Sequence, residues 1–475
     1  MRKYNPIMLI DYYEYTMANG YRLSGVGDTM VYFDMYFRKV PDNGGFAICA
    51  GLQSLIEYIE NLHFEEDDIA FLRSKGVFSE EWLGSLRDFK FEGDIYAMPE
   101  GSVVFPNEPI AIVRAPSYQA QIIETYLLIC LNHQSLIATK ASRIVRAAEG
   151  RAIMEFGARR AQGAEAAFLG ARAAYIAGCC GTSNALANQL YCVPALGTMA
   201  HSWVQMFDDE YTAFKHYCEL YPANASLLVD TYNVLKSGVP NAIRVFKEFG
   251  ITDGSIRIDS GDITYLSARA RKMLDEAGLP GCKIIASNSL DEQIIREIIR
   301  HGAAVDSFGV GERLITAQSD PVFGGVYKLV AVEKDGQIAP KIKVSENVQK
   351  ITTPHFKKVY RLYENQTGKA IADYICLHSE TLDTSKPLEI FDPDYTWKRK
   401  TITDFHAREM LVPIYKAGKL VYNQPQIEDI RTYCQSEIES LWDEVKRFEN
   451  PHNYYVDLSQ QIWDIKHDLI KKNGR

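Results

Sequence analysis

From about residue 150 onward, strand-like apolar runs that end in small or polar residues recur: "VPALGTMAHS", "SLLVDTYN", "SIRIDSGD", "KIIASNS" and "VDSFGVGE". Helical stretches such as "YLSARARKMLDEAG" and "LDEQIIREIIRHG" stand between them. Repeated β/α units of this kind predict a parallel sheet, because a parallel return needs a crossover long enough to hold a helix. No doubly wound nucleotide fingerprint interrupts the units, so closure into an α/β barrel is the expected architecture. In such barrels chemistry gathers at the C-terminal ends of the strands, and every polar motif just quoted falls there.

The rest of the chain has a different rhythm. The first third mixes a helix around "DYYEYTMANGY", a strand "TMVYFDMYFR", a helix "LQSLIEYIENL" and short β-like runs between Pro and Gly turns in "FEGDIYAMPEGSVVFPNEPIAIVRAP". The long helical stretch "SYQAQIIETYLLICLNHQSLIATKASRIVRAA" follows. After Lys343 the chain is more charged and closes with the amphipathic segment "EDIRTYCQSEIESLWDEVKRF". A length of 475 residues is long for one core, so two or three domains are expected, and 47% hydrophobic content supports a compact chain.

Charge and cysteine usage narrow the function classes. A net charge of -9 argues against a nucleic acid or an anionic membrane as the main partner, while leaving small anions open to local Arg and Lys. The nine cysteines lack CxxC spacing, which suggests free thiols in a reducing compartment. The N-terminus meets Asp11 and Glu14 before a signal-like run develops, and no uncharged membrane-length stretch occurs, so a cytoplasmic protein is expected.

Three motifs offer chemistry, each with a plain structural alternative. "RIDSGD", Arg257 to Asp262, places a guanidinium and acids around Ser260 and Gly261; acids there can meet Mg²⁺ or ribose hydroxyls, or simply cap the next helix. "FGVGE", Phe308 to Glu312, can cradle phosphate on bare backbone N–H groups or merely turn the chain. "EFGARRAQG" sets Phe156 three and four residues before Arg159 and Arg160; on a helix this pairs an aromatic ring with a cation, suiting a flat anionic ligand, or else gives a core Phe beside solvated arginines. "GTMAHSW", Gly197 to Trp203, adds His201 behind the apolar stretch "YCVPAL", which reads as a buried strand. Taken together, the motifs describe a sugar-phosphate transferase site.

With "DYYEYTM", "GTSNALA", "SNSLDE" and "KVSENVQKIT…KKVYRLY" added in order along nearly the whole length, the chain resembles the nicotinate phosphoribosyltransferase family. The resemblance implies an α/β fold: an irregular TIM-like barrel over 136–342, an N-terminal mixed α+β domain over 1–135, and a C-terminal α+β region over 343–475 that packs on it. It implies formation of nicotinate mononucleotide and pyrophosphate from nicotinate and phosphoribosyl pyrophosphate (PRPP). ATP is the coupled co-substrate, Mg²⁺ is held mainly through the PRPP phosphates, and the protein works as a homodimer with shared sites. By the same resemblance His201 accepts a phosphoryl group, and Asp230 and Asp259 complete the catalytic set at the PRPP site. Tyr13 and Phe156 flank the pyridine ring, Tyr13 from the neighbouring subunit, with Ser183, Gly197 and Arg257 on the nicotinate side. Arg159, Ser287, Asn288, Gly309 and Gly311 meet phosphate, with Arg38 and Lys328 reaching it across the dimer.

Three rivals differ at named positions. A nicotinamide-specific relative would carry an aspartate where Ser183 stands, and a carboxylate there would repel nicotinate's own. A non-catalytic homologue would have lost an acid or His201. A Schiff-base aldolase would want a strand-end lysine, and the quoted strand ends offer none.

Overall fold

The computed structural model describes residues 4–347 and 350–474, so Val348 and Gln349 of "KVSENVQKIT" lie outside the described residues. The chain divides into two compact units, residues 137–321 and residues 4–136 together with the described part of 322–475.

The 137–321 unit is built on a six-stranded sheet, a parallel half-barrel. Its spatial order is Gly181–Thr182, Ala152–Glu155, Ser307–Val310, Lys283–Ser287, Ser255–Ile258, Ser226–Leu228, and every neighbouring pair is parallel. Strands buried on both faces need near-continuous apolar runs. "KIIAS" meets this need, with all residues after Lys283 buried. Two crossover helices start on acidic caps. Asp262 accepts from the Tyr265 N–H at 3.0 Å to start the helix Ile263–Glu276. Asp291 accepts from Gln293 and Ile294 to start Glu292–Arg300, whose Ile295 and Ile298 face the core.

Two local expectations are corrected. "YCVPAL" is not a strand: it meets the sheet through one bridge, Thr182 to Ala195, flanked by Thr182 N–H to Pro194 C=O and Leu196 N–H to Thr182 C=O. Pro194 has no N–H to extend a ladder. "EFGARR" is not α-helical either; Ala158–Arg160 forms a single 3₁₀ turn after the strand Ala152–Glu155, and Phe156 precedes it.

The other unit contains a seven-stranded antiparallel sheet in the order Gln337–Pro340, Val326–Lys334, Met30–Tyr36, Ala111–Pro116, Asp94–Ala97, Val412–Lys416, Lys419–Leu420. Residues 322–342, expected with the barrel, are in this unit, because Val326–Lys334 pairs with Met30–Tyr36. This unit also holds a four-stranded sheet, Phe405–Glu409, Lys357–Glu364, Ala370–Leu377, Tyr455–Leu458, and two two-stranded ones. Arg361 ties segments distant in sequence. Fully buried, it bonds Asp373 at 2.6 Å, Glu437 at 2.8 Å and the Val103 carbonyl at 2.9 Å. Removing one partner of such a buried group costs about 3–5 kcal/mol. The helix expected over "EDIRTYCQSEIESLWDEVKRF" stops at Ser440, where Leu441 turns extended and is fully buried.

Candidate active site

Consecutive parallel strands deliver their last residues to one edge of the sheet, and the site grows from that edge. Arg257, in the strand Ser255–Ile258, is held at four points. It donates to the Ser287 hydroxyl at 3.0 Å, the Thr198 hydroxyl at 2.7 Å, the Met199 carbonyl at 3.2 Å and Asp259 Oδ1 at 3.1 Å. Ser287 in turn donates to Asp259 Oδ1. A guanidinium fixed this way presents charge without first losing side-chain freedom.

Asp230 and His201 join the same cluster. Asp230 follows the strand Ser226–Leu228, and its Oδ2 accepts from the Asp259 N–H at 3.0 Å and the Ser260 hydroxyl at 2.6 Å. Its Oδ1 is buried with no partner among the described residues, an open acceptor inside the cluster. His201 opens the short helix His201–Gln205, with Nδ1 3.2 Å from the Thr231 hydroxyl and Nε2 3.9 Å from Asp259 Oδ2. Its side chain is 41% exposed, so the ring is open to a ligand. Gly197 is exposed, and a Cβ there would touch nothing within 4 Å, so protein packing does not demand its glycine.

Phe156 lies along the sheet edge, its N–H bonded to the Val310 carbonyl at 2.7 Å. A Cβ on Gly309 would come within 2.6 Å of this ring, and one on Gly311 within 3.0 Å of the Phe156 carbonyl oxygen. Both glycines therefore make room for Phe156 as well as baring backbone. Arg160 faces Glu312 at 3.6 Å, whereas Arg159 is exposed and has no protein partner among the described residues, leaving it the freer cation. Asn288 and Ser289 are exposed with φ of 91° and 46°, a left-handed stretch unusual for non-glycine residues. Ser183 is exposed, and its N–H is bonded to the Glu155 carbonyl at 2.9 Å.

Tyr13, Arg38 and Lys328 belong to the other unit. Tyr13 sits in the first turn of the helix Tyr12–Leu23, about half exposed, its hydroxyl pushed up to about 12 by burial first and then by Glu124, Glu14 and Asp11. Lys328 pairs in register with Asp34 and donates to the Tyr327 carbonyl at 2.8 Å. Its ammonium is shifted down by burial, against the pull of Glu124 and with the push of Lys343 and Arg38. The Arg38 guanidinium lies 5.5 Å from the Tyr36 ring centre.

Sequence reasoning passed over Glu155, Thr182, Thr198 and Thr231, which carry supporting bonds. Only Glu155 had a visible signal, a charged residue closing an apolar strand.

The arrangement of fixed arginine, free carboxylate oxygen, exposed imidazole and bare glycines beside an aromatic ring suits a planar anion next to a phosphorylated sugar. Comparison with known proteins points the same way. Residues 8–132, 151–367 and 356–466 match the sequence descriptions of the nicotinate phosphoribosyltransferase N-terminal domain, family and C-terminal domain. The chain is 46% identical to the nicotinate phosphoribosyltransferase of Bacillus subtilis, covering 97% of this chain and 94% of that one. It is 38% identical to one from Mycobacterium tuberculosis, covering 97% and 93%. The crystal structure of human nicotinic acid phosphoribosyltransferase superposes with a TM-score of 0.85 at 28% identity over 97% of this chain and 99% of that one. Sequence matches along the whole length and a shared fold thus agree with the strand-end cluster, and the chain belongs to the nicotinate phosphoribosyltransferase family.

Proposed function

We propose that this protein joins nicotinate to PRPP, forming nicotinate mononucleotide and pyrophosphate with coupled ATP hydrolysis. The observation that carries the reading is the hydrogen-bonded set Arg257, Asp259, Ser287 and Asp230 at the C-terminal edge of one parallel sheet, with the His201 ring 3.9 Å from Asp259 Oδ2. That sheet fits the strand ladder of an irregular TIM-like barrel. The cysteines, without CxxC spacing in the sequence, fit a cytoplasmic enzyme.

The glycosyl step breaks the bond from the ribose anomeric carbon to pyrophosphate, which leaves with the electron pair. The pyridine nitrogen supplies the pair for the new C–N bond. Positive charge builds on the ribose between these events, so the site contributes positioning and charge stabilisation rather than a protein nucleophile. Phe156, with Tyr13 of a second copy in a homodimer, sandwiches the base; Arg257, Ser183 and Gly197 face its carboxylate side. Arg159, Ser287, Asn288, Gly309 and Gly311 receive phosphate, with Arg38 and Lys328 of the second copy. The Asp230 Oδ1 left open in the cluster accepts a ribose hydroxyl.

Among the described residues no three His, Cys, Asp or Glu side chains group as a metal cage. Mg²⁺ carried on the PRPP phosphates would have Asp230 and Asp259 as flanking acids, the usual manner in which Mg²⁺ is shared with phosphates. Bound there, the ion would offset charge on the departing pyrophosphate.

His201 serves the ATP step. With Nδ1 donating to Thr231, the Nε2 lone pair is free to attack the γ-phosphorus of ATP, ADP leaving with the P–O electrons. His201→Asn is expected to abolish ATP hydrolysis and acid-labile labelling from γ-labelled ATP, while weak ATP-independent synthesis remains with a raised PRPP KM. Label persisting in a folded Asn variant overturns the role of His201, and absence of nicotinate turnover by the unaltered protein overturns the reading itself.

A further inference from the structure

The buried carboxylate of Glu155 has no part in the chemistry just described, yet it joins both sides of the proposed nicotinate slot. Glu155 closes the strand Ala152–Glu155 and is fully buried. Its Oε1 accepts from the Gly157 N–H, within the loop that carries Phe156 and Arg159. Its Oε2 accepts from the Thr182 hydroxyl at 2.6 Å, one residue before Ser183, and its carbonyl accepts the Ser183 N–H at 2.9 Å. Glu155 and Thr182 are direct partners in the sheet register, so the two side chains meet without strain. Thr182 Oγ1 also accepts from the Asn184 N–H at 3.1 Å, and Asn184 caps the helix Ala185–Tyr191 through Leu186 and Ala187.

A carboxylate withdrawn from water is costly unless its oxygens are bonded, and an apolar residue would fill this strand end at less expense. Burial shifts Glu155 upward, and the bonds from Thr182 and Gly157 pull it back. What the charge gives in return is geometry: one rigid group spans two strands and fixes the loops leaving both.

We propose that Glu155 and Thr182 are positioning residues for base selection, setting the spacing between the Phe156 ring and the Ser183 hydroxyl so that nicotinate is preferred over nicotinamide. This rests on Phe156 and Ser183 facing the base.

The test measures kcat and KM for nicotinate, nicotinamide and PRPP in Thr182→Val, Thr182→Ser, Glu155→Gln and Phe156→Ala, with thermal melts. Thr182→Val keeps the shape and removes the hydroxyl, so the nicotinate KM rises and the nicotinate-to-nicotinamide kcat/KM ratio falls by about tenfold, as for one lost bond to a charged group. The PRPP KM rises less than the nicotinate KM, since Arg257 and Asp259 are held separately and only Arg159 shares the loop of Phe156. Thr182→Ser restores the ratio, which a purely structural loss of packing would not do. If Thr182→Val fails to fold, Glu155→Gln carries the test: its amide keeps the bond from Gly157 but faces Thr182 as a donor, and the ratio falls by about threefold. An unchanged ratio in a folded Thr182→Val or Glu155→Gln protein overturns the proposal. Should Phe156→Ala leave the nicotinate KM unaltered, the assignment of the base site fails instead.

Discussion

Gly309 shows how a single residue can be read two ways at once. In the sequence it belongs to a glycine pair that bares backbone to phosphate; in the fold its missing Cβ also leaves space for the Phe156 ring, 2.6 Å from where that atom would stand. The contact is with Cδ2 and Cε2 of the ring, a side chain that can turn about its own bonds, so Gly309→Ala is expected to displace Phe156 rather than unfold the protein. The nicotinate KM should rise about tenfold, with the melting temperature little changed. Steady-state kinetics and a thermal melt check this; an unchanged nicotinate KM would detach Phe156 from the base. The paired arginines divide at the same scale. Their order in "GARR" is silent about roles, but Glu312 beside Arg160 leaves Arg159 as the cation open to a ligand.

At the scale of elements, the helix Tyr12–Leu23 is pinned where it presents Tyr13. The Thr125 hydroxyl accepts from the Asp11 N–H at 3.2 Å and donates to Glu14 Oε1 at 2.6 Å. Glu14 is fully buried, and its carboxyl is pushed from the ordinary 4.5 to about 8, chiefly by burial, with Glu124 and Asp11 adding to the rise and Thr125 opposing it. Between these values the folded protein holds a proton that the unfolded chain releases. The stability linked to Glu14 is therefore full below about pH 4.5 and is lost as pH rises through about 8. Glu14→Gln cannot titrate, so the fall in melting temperature between pH 5 and pH 8 should be shallower in the variant than in the unaltered protein. Parallel slopes would mean that Glu14 ionises normally. The helix was legible from its apolar spacing, whereas the buried acid was not, because an acid in a first turn ordinarily faces solvent and the helix dipole.

For the molecule as a whole, the test concerns which copy supplies Tyr13. Tyr13→Ala and Asp259→Ala are each expected to be inactive, and mixing them with subunit exchange should restore activity, because one site of the mixed dimer then has both residues intact. Assaying the mixture after exchange has been demonstrated by mass decides this; no recovery places Tyr13 in the site of its own copy. Strand-end residues brought together by adjacent parallel strands need no such test of neighbourhood. Arg257, Ser287 and Gly309 come from three successive strands, Ser287 opposite Gly309 in the register and Arg257 one strand away.

By itself the sequence determined the alternation of strands and helices, the cap that "RIDSGD" offers at Asp262, and the polar motifs at strand ends, since these depend on local periodicity and on side chains bonding to backbone within a turn. Tertiary structure alone decided the pairing order of the strands and the joining of 322–342 to the strand Met30–Tyr36. It also reduced "YCVPAL" to a single bridge and turned "EFGARR" into a 3₁₀ turn, where Pro194 cannot donate and Gly157 is held by a buried carboxylate. The supporting bonds of Glu155, Thr198 and Thr231 were invisible for the same reason. Each joins residues that are neighbours only after the sheet has formed, and no local pattern in the chain records which distant group will satisfy a buried donor or acceptor.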